Sequence, residues 1–421
     1  MRYLLPLGLF LLLPLSGQAA EPFLLKNGQR VLFLGDSNTA AGKFIAYLDG
    51  YLCTRFPKDR FELINLGLSS ETVTGLSEAE HPFPRPNVHD RVARALEITK
   101  PDIVVLCYGM NDGIYSPFDA GRFEKYQQGI LQLIEKIEKA GAKAIVMTPA
   151  PFDPKPLKDK VIPKNAEKHS YLRPYEKYDD EVLTRYSEWL VTLREKKYIV
   201  VDAHAALLKH LEAMRKTDAN YRVSGDGIHP DSNGHLVIFL ELLEALHGPA
   251  LVHEEAGSHD AGKEFKFADF VFSSPLPLPV DPGWKKEVLV LERVAERANR
   301  FRLRYANVKG KLNLLEQHNV EQDKKTETLA VVDAADLAKG VDLSPYKELP
   351  INRRAAEVGL LIQQKRKLLD AAWLSHVGHT RPNTPKGLPL EEAKTKAAVL
   401  DESIRKLCPP ANVRLRLEPA R

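Results

Sequence analysis

The sequence predicts an α/β fold built around a parallel five-stranded sheet, and three observations carry that prediction. From Arg30 to about Gly248, short β-branched runs alternate with longer amphipathic stretches, the pattern of successive βα units. The intervening stretches place apolar residues at three- and four-residue spacing, as one face of a helix requires. Small and polar residues follow several runs directly, where open parallel sheets bind their ligands.

The five runs are VLFL at 31–34, FELIN at 61–65, IVVLC at 103–107, AIVM at 144–147 and YIVV at 198–201. Between the third and fourth, Phe123, Tyr126, Ile130, Leu133, Ile134 and Ile137 define one face of a helix over 122–140. One stretch interrupts the alternation. Residues 151–178, rich in Pro, Lys and Tyr, separate the fourth run from a helix beginning near Asp179, longer than an ordinary connection. It reads as either a surface excursion or a substrate lid.

The ends of the chain read differently. Residues 1–20 carry Arg2, a Leu-rich run from Leu4 to Leu15 and small residues before Glu21, the order of a secretory signal peptide. The run is too short to span a bilayer and is interrupted by Pro6 and Pro14. A secreted or periplasmic protein without stable membrane insertion is therefore expected. Residues 21–250 form the expected α/β domain, 251–282 a linker, Pro-rich towards its end, and 283–421 a smaller C-terminal α+β region. In that last region 287–292 and 300–305 read as strands, 312–315 more weakly so, and 351–373 and 390–406 as helices. It lacks a second set of nucleophile, base and acid, so it is expected to pack on the α/β domain or to recognise an attached substrate.

Composition narrows the function classes. Lysines and arginines number 60 against 56 acids, without long runs of either sign, so the footprint of a nucleic-acid binder is missing. Cys53, Cys107 and Cys408 are too few and too scattered for a disulfide framework. His81, His89 and His169 lie in polar loops without metal-ligand spacing, and no metal site is expected.

The chemistry begins where the first run enters Gly35-Asp36-Ser37-Asn38-Thr39, which puts a serine hydroxyl at the ligand-binding end of the sheet. A phosphate loop does not fit, because six residues separate Gly35 from Gly42 and Phe44 replaces the metal-binding hydroxyl. The α/β-hydrolase elbow does not fit either, since Thr39 stands where its second glycine belongs. A serine nucleophile needs a base and an orienting acid. Gly225-Asp226-Gly227-Ile228-His229-Pro230 supplies both, three residues apart on a turn. Asp202, after the fifth run, is a rival acid, but it is better placed to start a helix. Pro230, Asp231 and Ser232 read as a second helix start. Oxyanion donors are sought at the ends of the second and third runs, where Gly67 offers a backbone N–H and Asn111 an amide. Arg85, in a stiff Pro-rich segment, reads as a solvated side chain or as a contact to an acidic or sugar substrate.

With these residues in hand, 29–247 resembles the SGNH (GDSL-type) hydrolases: Ser37, Gly67, Asn111 and His229 match the four named residues in order, and Asp226 matches the acid. The resemblance implies a flavodoxin-like three-layer α/β/α sandwich, no cofactor and no metal. It further implies an acyl-enzyme mechanism with Ser37, Asp226 and His229 as the triad and Ser37, Gly67 and Asn111 around the oxyanion. The expected substrate is an ester, with acylated carbohydrate and lysophospholipid as the two classes in view. A non-catalytic polysaccharide-binding module is the contrasting reading, opposed by the intact triad.

Overall fold

The computed structural model describes residues 21–317 and 326–420; the expected leader at 1–20 lies outside the described residues. The α/β region runs β1 (Arg30–Gly35), α1 (Ser37–Ala40), α2 (Lys43–Arg55), β2 (Glu62–Asn65), α3 (Val92–Thr99), β3 (Ile103–Cys107), α4 (Ala120–Lys139), β4 (Lys143–Met147), α5 (Thr184–Thr192), β5 (Ile199–Val201), α6 (Ala203–Arg215) and α7 (Ser232–Ala245). All five β-branched runs are strands, paired in parallel in the order β2-β1-β3-β4-β5. The sandwich is the flavodoxin-like one, and β1 lies where the chain switches from one side of the sheet to the other. A crevice opens at such a switch point.

Alternation along the strands explains the three layers. Leu32, Leu34, Ile64, Val104, Leu106 and Val146 pack on one face with residues of α3, α4 and α5. Val31, Phe33, Leu63, Val105, Ile145 and Met147 pack on the other with residues of α2, α6 and α7. Because both faces are covered, the strands are continuously apolar. Helix α4 buries Tyr126, Ile130, Leu133, Ile134 and Ile137, the face its periodicity predicts, and Asp119 opens it by accepting the Arg122 N–H. Each such aliphatic side chain contributes roughly 1.5–3 kcal/mol on burial. Packing, more than helix propensity, therefore holds α4 in place.

The C-terminal part contains β6 (Leu251–Ser258), β7 (Ala268–Ser274), α8 (Lys286–Leu291), α9 (Val294–Arg297), β8 (Arg300–Ala306), β9 (Lys311–Gln317), β10 (Thr326–Asp333), α10 (Ala334–Lys339), β11 (Val341–Asp342), α11 (Pro350–Val377), α12 (Leu390–Leu407) and β12 (Ala411–Pro419). Two further sheets, β10-β9-β12-β7 and β11-β8-β6, enclose a separate core with one end of α11.

Three expectations about this part are corrected. Residues 251–282 are not a bare linker: β6 pairs with β8 and β7 with β12, partners about 50 and 140 residues distant, so no local pattern announces them. Residues 287–292 are not a strand: 287–291 lie in the short helix α8, which Glu292 ends and whose Val288 packs beside Trp284 on the sandwich. The boundary at 283 also moves, because Trp284, Val288, Val294 and Ala298 belong to the core beneath α2 and α7.

Helix α11 joins the two parts. Ile351, Ala355, Val358 and Ile362 sit in the C-terminal core, whereas Ala372, Trp373 and Val377 sit in the core of the sandwich. Between them Lys365 pairs with Asp49 of α2 at 3.0 Å, and Arg366 donates to the Leu63 carbonyl of β2. The helix covers the β2 edge of the sheet. That is the first of the two roles expected for this region.

Candidate active site

Strand β1 delivers Ser37 to the switch point. Asp36 caps α1 by accepting the Asn38 N–H at 3.0 Å, which makes Ser37 the first residue of that helix. Gly35 is required by space: a Cβ there would lie 2.1 Å from Thr39 Oγ1. Across the crevice, Asp231 caps α7 through the N–H groups of Asn233 and Gly234, and the preceding turn carries the other two groups. His229 Nε2 lies 2.8 Å from Ser37 Oγ, and His229 Nδ1 lies 2.7 Å from Asp226 Oδ2. The other oxygen of Asp226 accepts from the Ser224 hydroxyl and from the N–H groups of Ile228 and His229. Asn38 ties the nucleophile's helix to this turn by donating to the Ile228 carbonyl at 3.4 Å. Asp202 caps α6, accepting from Ala205 N–H at 3.1 Å, and takes no part.

The electrostatics suit a general base. For Asp226, burial pushes the carboxyl up, but the bonds from the His229 ring and from two backbone N–H groups outweigh it and hold the carboxyl well below the usual range. His229 is raised above the ordinary imidazole value, first by its bond to Asp226 and then by the charges of Asp226 and Asp36, against the opposing effect of burial. Burial pushes Asp36 itself up to about 6, opposed by its bond from Asn38 and by His229 and Arg85.

The opposite wall is buried. Asn111, 3% exposed, donates one amide hydrogen to the Glu71 carbonyl at 3.2 Å and accepts the Tyr115 hydroxyl at 3.0 Å. A carbonyl can only accept, so Glu71 fixes which way the amide faces and leaves its second hydrogen for a ligand. The Glu71 carboxylate takes a bidentate pair from Arg91, both bonds 2.6 Å, and the Tyr108 hydroxyl at 2.6 Å. Arg91 also donates to the Leu66 carbonyl, so Glu71 holds the turns after β2 and β3 together.

Gly67 is placed differently from its expected role. Its N–H donates to Asn65 Oδ1 at 2.9 Å, and Asn65 in turn donates to Thr39 O and to Asp370 of α11. A Cβ at Gly67 would lie 2.3 Å from the Ala40 nitrogen, so packing against α1 already requires glycine there. The Ser37 N–H, at a helix start, has no acceptor within the helix.

Comparison with known proteins places this region in a family. The model of the GDSL-like Lipase/Acylhydrolase family matches residues 33–237. This region belongs to that family. Ser37, Gly67, Asn111, Asp226 and His229 all fall within it. The solved structure of BT4096, a gut microbial diltiazem-metabolizing enzyme, is similar to this chain at a TM-score of 0.65 and 19% identity, over 94% of this chain and 98% of that one. The likeness therefore extends the shared fold into the C-terminal region. Axe2 of Geobacillus stearothermophilus, an acetylxylan esterase, aligns at 22% identity over 53% of this chain and 96% of its own, with a TM-score of 0.36. A comparison with curated proteins finds no match. The family match over this region supports an ester hydrolase.

The other residues singled out in the sequence have partners of their own. Arg85 is not a solvated side chain: it is buried in a bidentate pair with Glu78, at 2.6 and 2.7 Å, and lies 5.5 Å from the ring centre of Tyr115. The pairing spares Arg85 a lone buried charge. His81, His89 and His169 contact Phe83 O, Lys136 and Pro163 O respectively, and no cluster able to hold a metal occurs among the described residues. A cavity of about 580 Å³ between α6 and the 151–178 insertion is lined by Phe152, Leu208 and Arg215 and not by Ser37. It carries none of the triad, so the site is judged by its geometry instead. Glu71, Arg91, Asn65 and Tyr115 escaped the sequence reading. Asn65 stands two residues before Gly67, Glu71 four after it and Tyr115 four after Asn111, but no motif marks any of them.

Proposed function

We propose that the protein is an exported carboxylic-ester hydrolase that removes acetyl or other short acyl groups from carbohydrate through a Ser37 acyl-enzyme. The observation that carries the chemistry is the unbroken chain from Ser37 Oγ through His229 to Asp226, at 2.8 and 2.7 Å. His229 takes the serine proton as Ser37 attacks the ester carbonyl. The oxyanion meets the Asn111 amide and the Ser37 N–H, while the Gly67 N–H joins them only by leaving Asn65. His229 then gives its proton to the departing alcohol. Water, deprotonated by the same ring, attacks the acyl-enzyme, and collapse of the second tetrahedral species releases the acid.

Export rests on the leader alone. The short acyl group is supported by the openness of the site: the His229 and Asp226 side chains are 46% and 53% exposed, and a long lipid chain would need an apolar lining. The polar, Lys-rich insertion beside the catalytic turn suits a hydroxylated substrate. The test pairs a fluorophosphonate probe with hydrolysis of 4-nitrophenyl acetate, 4-nitrophenyl octanoate and acetylated xylan. Labelling that vanishes in Ser37→Ala, with acetyl favoured over octanoyl, is the expected result. Labelling that persists in Ser37→Ala overturns the mechanism, and octanoyl preference overturns the substrate class.

A further inference from the structure

Asn111 can serve an oxyanion only if its amide is held still, and the structure surrounds it with a device the reaction does not otherwise use. The loop after β3 carries two successive residues with left-handed backbone, Ile114 at φ 47° and Tyr115 at φ 55°. Such conformations are costly outside glycine and persist where neighbours impose them. The bend turns the Tyr115 side chain back so that its hydroxyl meets Asn111 Oδ1 at 3.0 Å.

The neighbours that impose it come from the end of the 151–178 insertion. Tyr175 N–H donates to the Tyr115 carbonyl at 2.9 Å. Tyr178 stacks on the Tyr115 ring with centroids 5.1 Å apart, and its hydroxyl donates to the Met110 carbonyl at 2.7 Å. Tyr178 also fills the space beside Gly113, where a Cβ would lie 2.3 Å from the phenol oxygen. On its other side Tyr115 has the buried Arg85–Glu78 pair, and Glu78 in turn accepts the Tyr171 N–H of the insertion at 3.3 Å. Burial keeps the Tyr115 phenol protonated far above neutral pH, so it remains a donor to Asn111.

We propose that Tyr115, braced by Tyr175 and Tyr178 of the insertion, is the positioning residue that aims the Asn111 amide at the oxyanion. The insertion then acts as a strut for the oxyanion wall. The inference rests on the esterase reading above, which assigns Asn111 to that wall. A fixed amide contributes through transition-state charge and little through ground-state binding, so its support should appear in kcat.

The experiment is a double-mutant cycle on 4-nitrophenyl acetate with Tyr115→Phe, Asn111→Ala and the pair, each checked for an unchanged near-ultraviolet circular dichroism spectrum. Phenylalanine keeps the stacking on Tyr178 and removes only the hydroxyl. The expected result is a roughly tenfold loss of kcat at unchanged KM in Tyr115→Phe, about what one neutral hydrogen bond accounts for. In the Asn111→Ala background the same change should cost nothing further, since the group it positions is gone. A loss that persists in that background, a loss confined to KM, or no loss in Tyr115→Phe while Asn111→Ala is impaired overturns the proposal. Full activity in Asn111→Ala would instead remove the oxyanion assignment, and full activity in Ser37→Ala the esterase mechanism itself.

Discussion

The two walls of the crevice are built in opposite ways. The base side is local and wet: Asp226 and His229 are three residues apart, about half exposed, and held mainly by hydrogen bonds within one turn. The oxyanion side is buried and assembled from afar. Asn111 depends on Glu71, Glu71 on Arg91 and Tyr108, and Asn65 on Asp370, a contact across 305 residues. In the proposed mechanism the base exchanges protons with alcohol and water, so it needs access. The donors act on a transient charge, and they are worth most where water is excluded and nothing must reorganise.

The comparison predicts an order of effects. Replacing the base itself is the largest: His229→Ala should lower kcat for a small ester by at least about a thousandfold, because nothing else can deprotonate Ser37. Its signature in the wild type is a kcat/KM that rises with pH and levels off above the His229 pKa. Since that pKa is raised above the ordinary imidazole value, the inflection should lie above about 6.5 and activity should fall on the acid side, where the ring is protonated. A pH profile without this inflection would break the assignment of His229.

Asn111→Ala should come next, costing about 10²–10³ in kcat with little change in KM, by the usual cost of one oxyanion donor. Asp226→Asn should cost less, about 10- to 100-fold, because at a half-exposed position water replaces part of what the carboxylate supplies. It should also move the pH inflection downward, since the carboxylate is what raises the imidazole. Steady-state kinetics on both variants decides the ranking, and a larger loss in Asp226→Asn than in Asn111→Ala would reverse the contrast drawn between the walls.

The smallest catalytic effect and the largest structural one should come from α11. Asp370→Ala removes one partner each of the buried Arg366 and of the Asn65 amide, which keep only the Leu63 and Thr39 carbonyls, and should lower unfolding stability by about 1–3 kcal/mol in urea titration while kcat falls less than in the variants above. Removing 350–421 entirely should abolish folding, because Trp373, Ala372 and Val377 complete the core of the sandwich. A folded, active truncation would show that the two parts are separable after all.

The sequence by itself determined the sandwich and which residues are proposed to react. Five buried strands must be written as apolar runs and their helices as amphipathic faces, because each element has to satisfy its own backbone and show a consistent face to the sheet. Ser37 follows directly from the end of the first run, and Asp226 and His229 share one turn, so their partnership is visible as spacing. The tertiary structure alone decided the rest. Strands β6 and β7 take their pairing from distant strands, Glu287–Leu291 follows its packing beside Trp284 and not its β-branched composition, and Arg85 is buried because Glu78 compensates its charge. The support of the oxyanion wall was likewise hidden, since a hydrogen bond between side chains 20 or 305 residues apart leaves no periodicity and no motif, only a geometry that exists once the chain has folded.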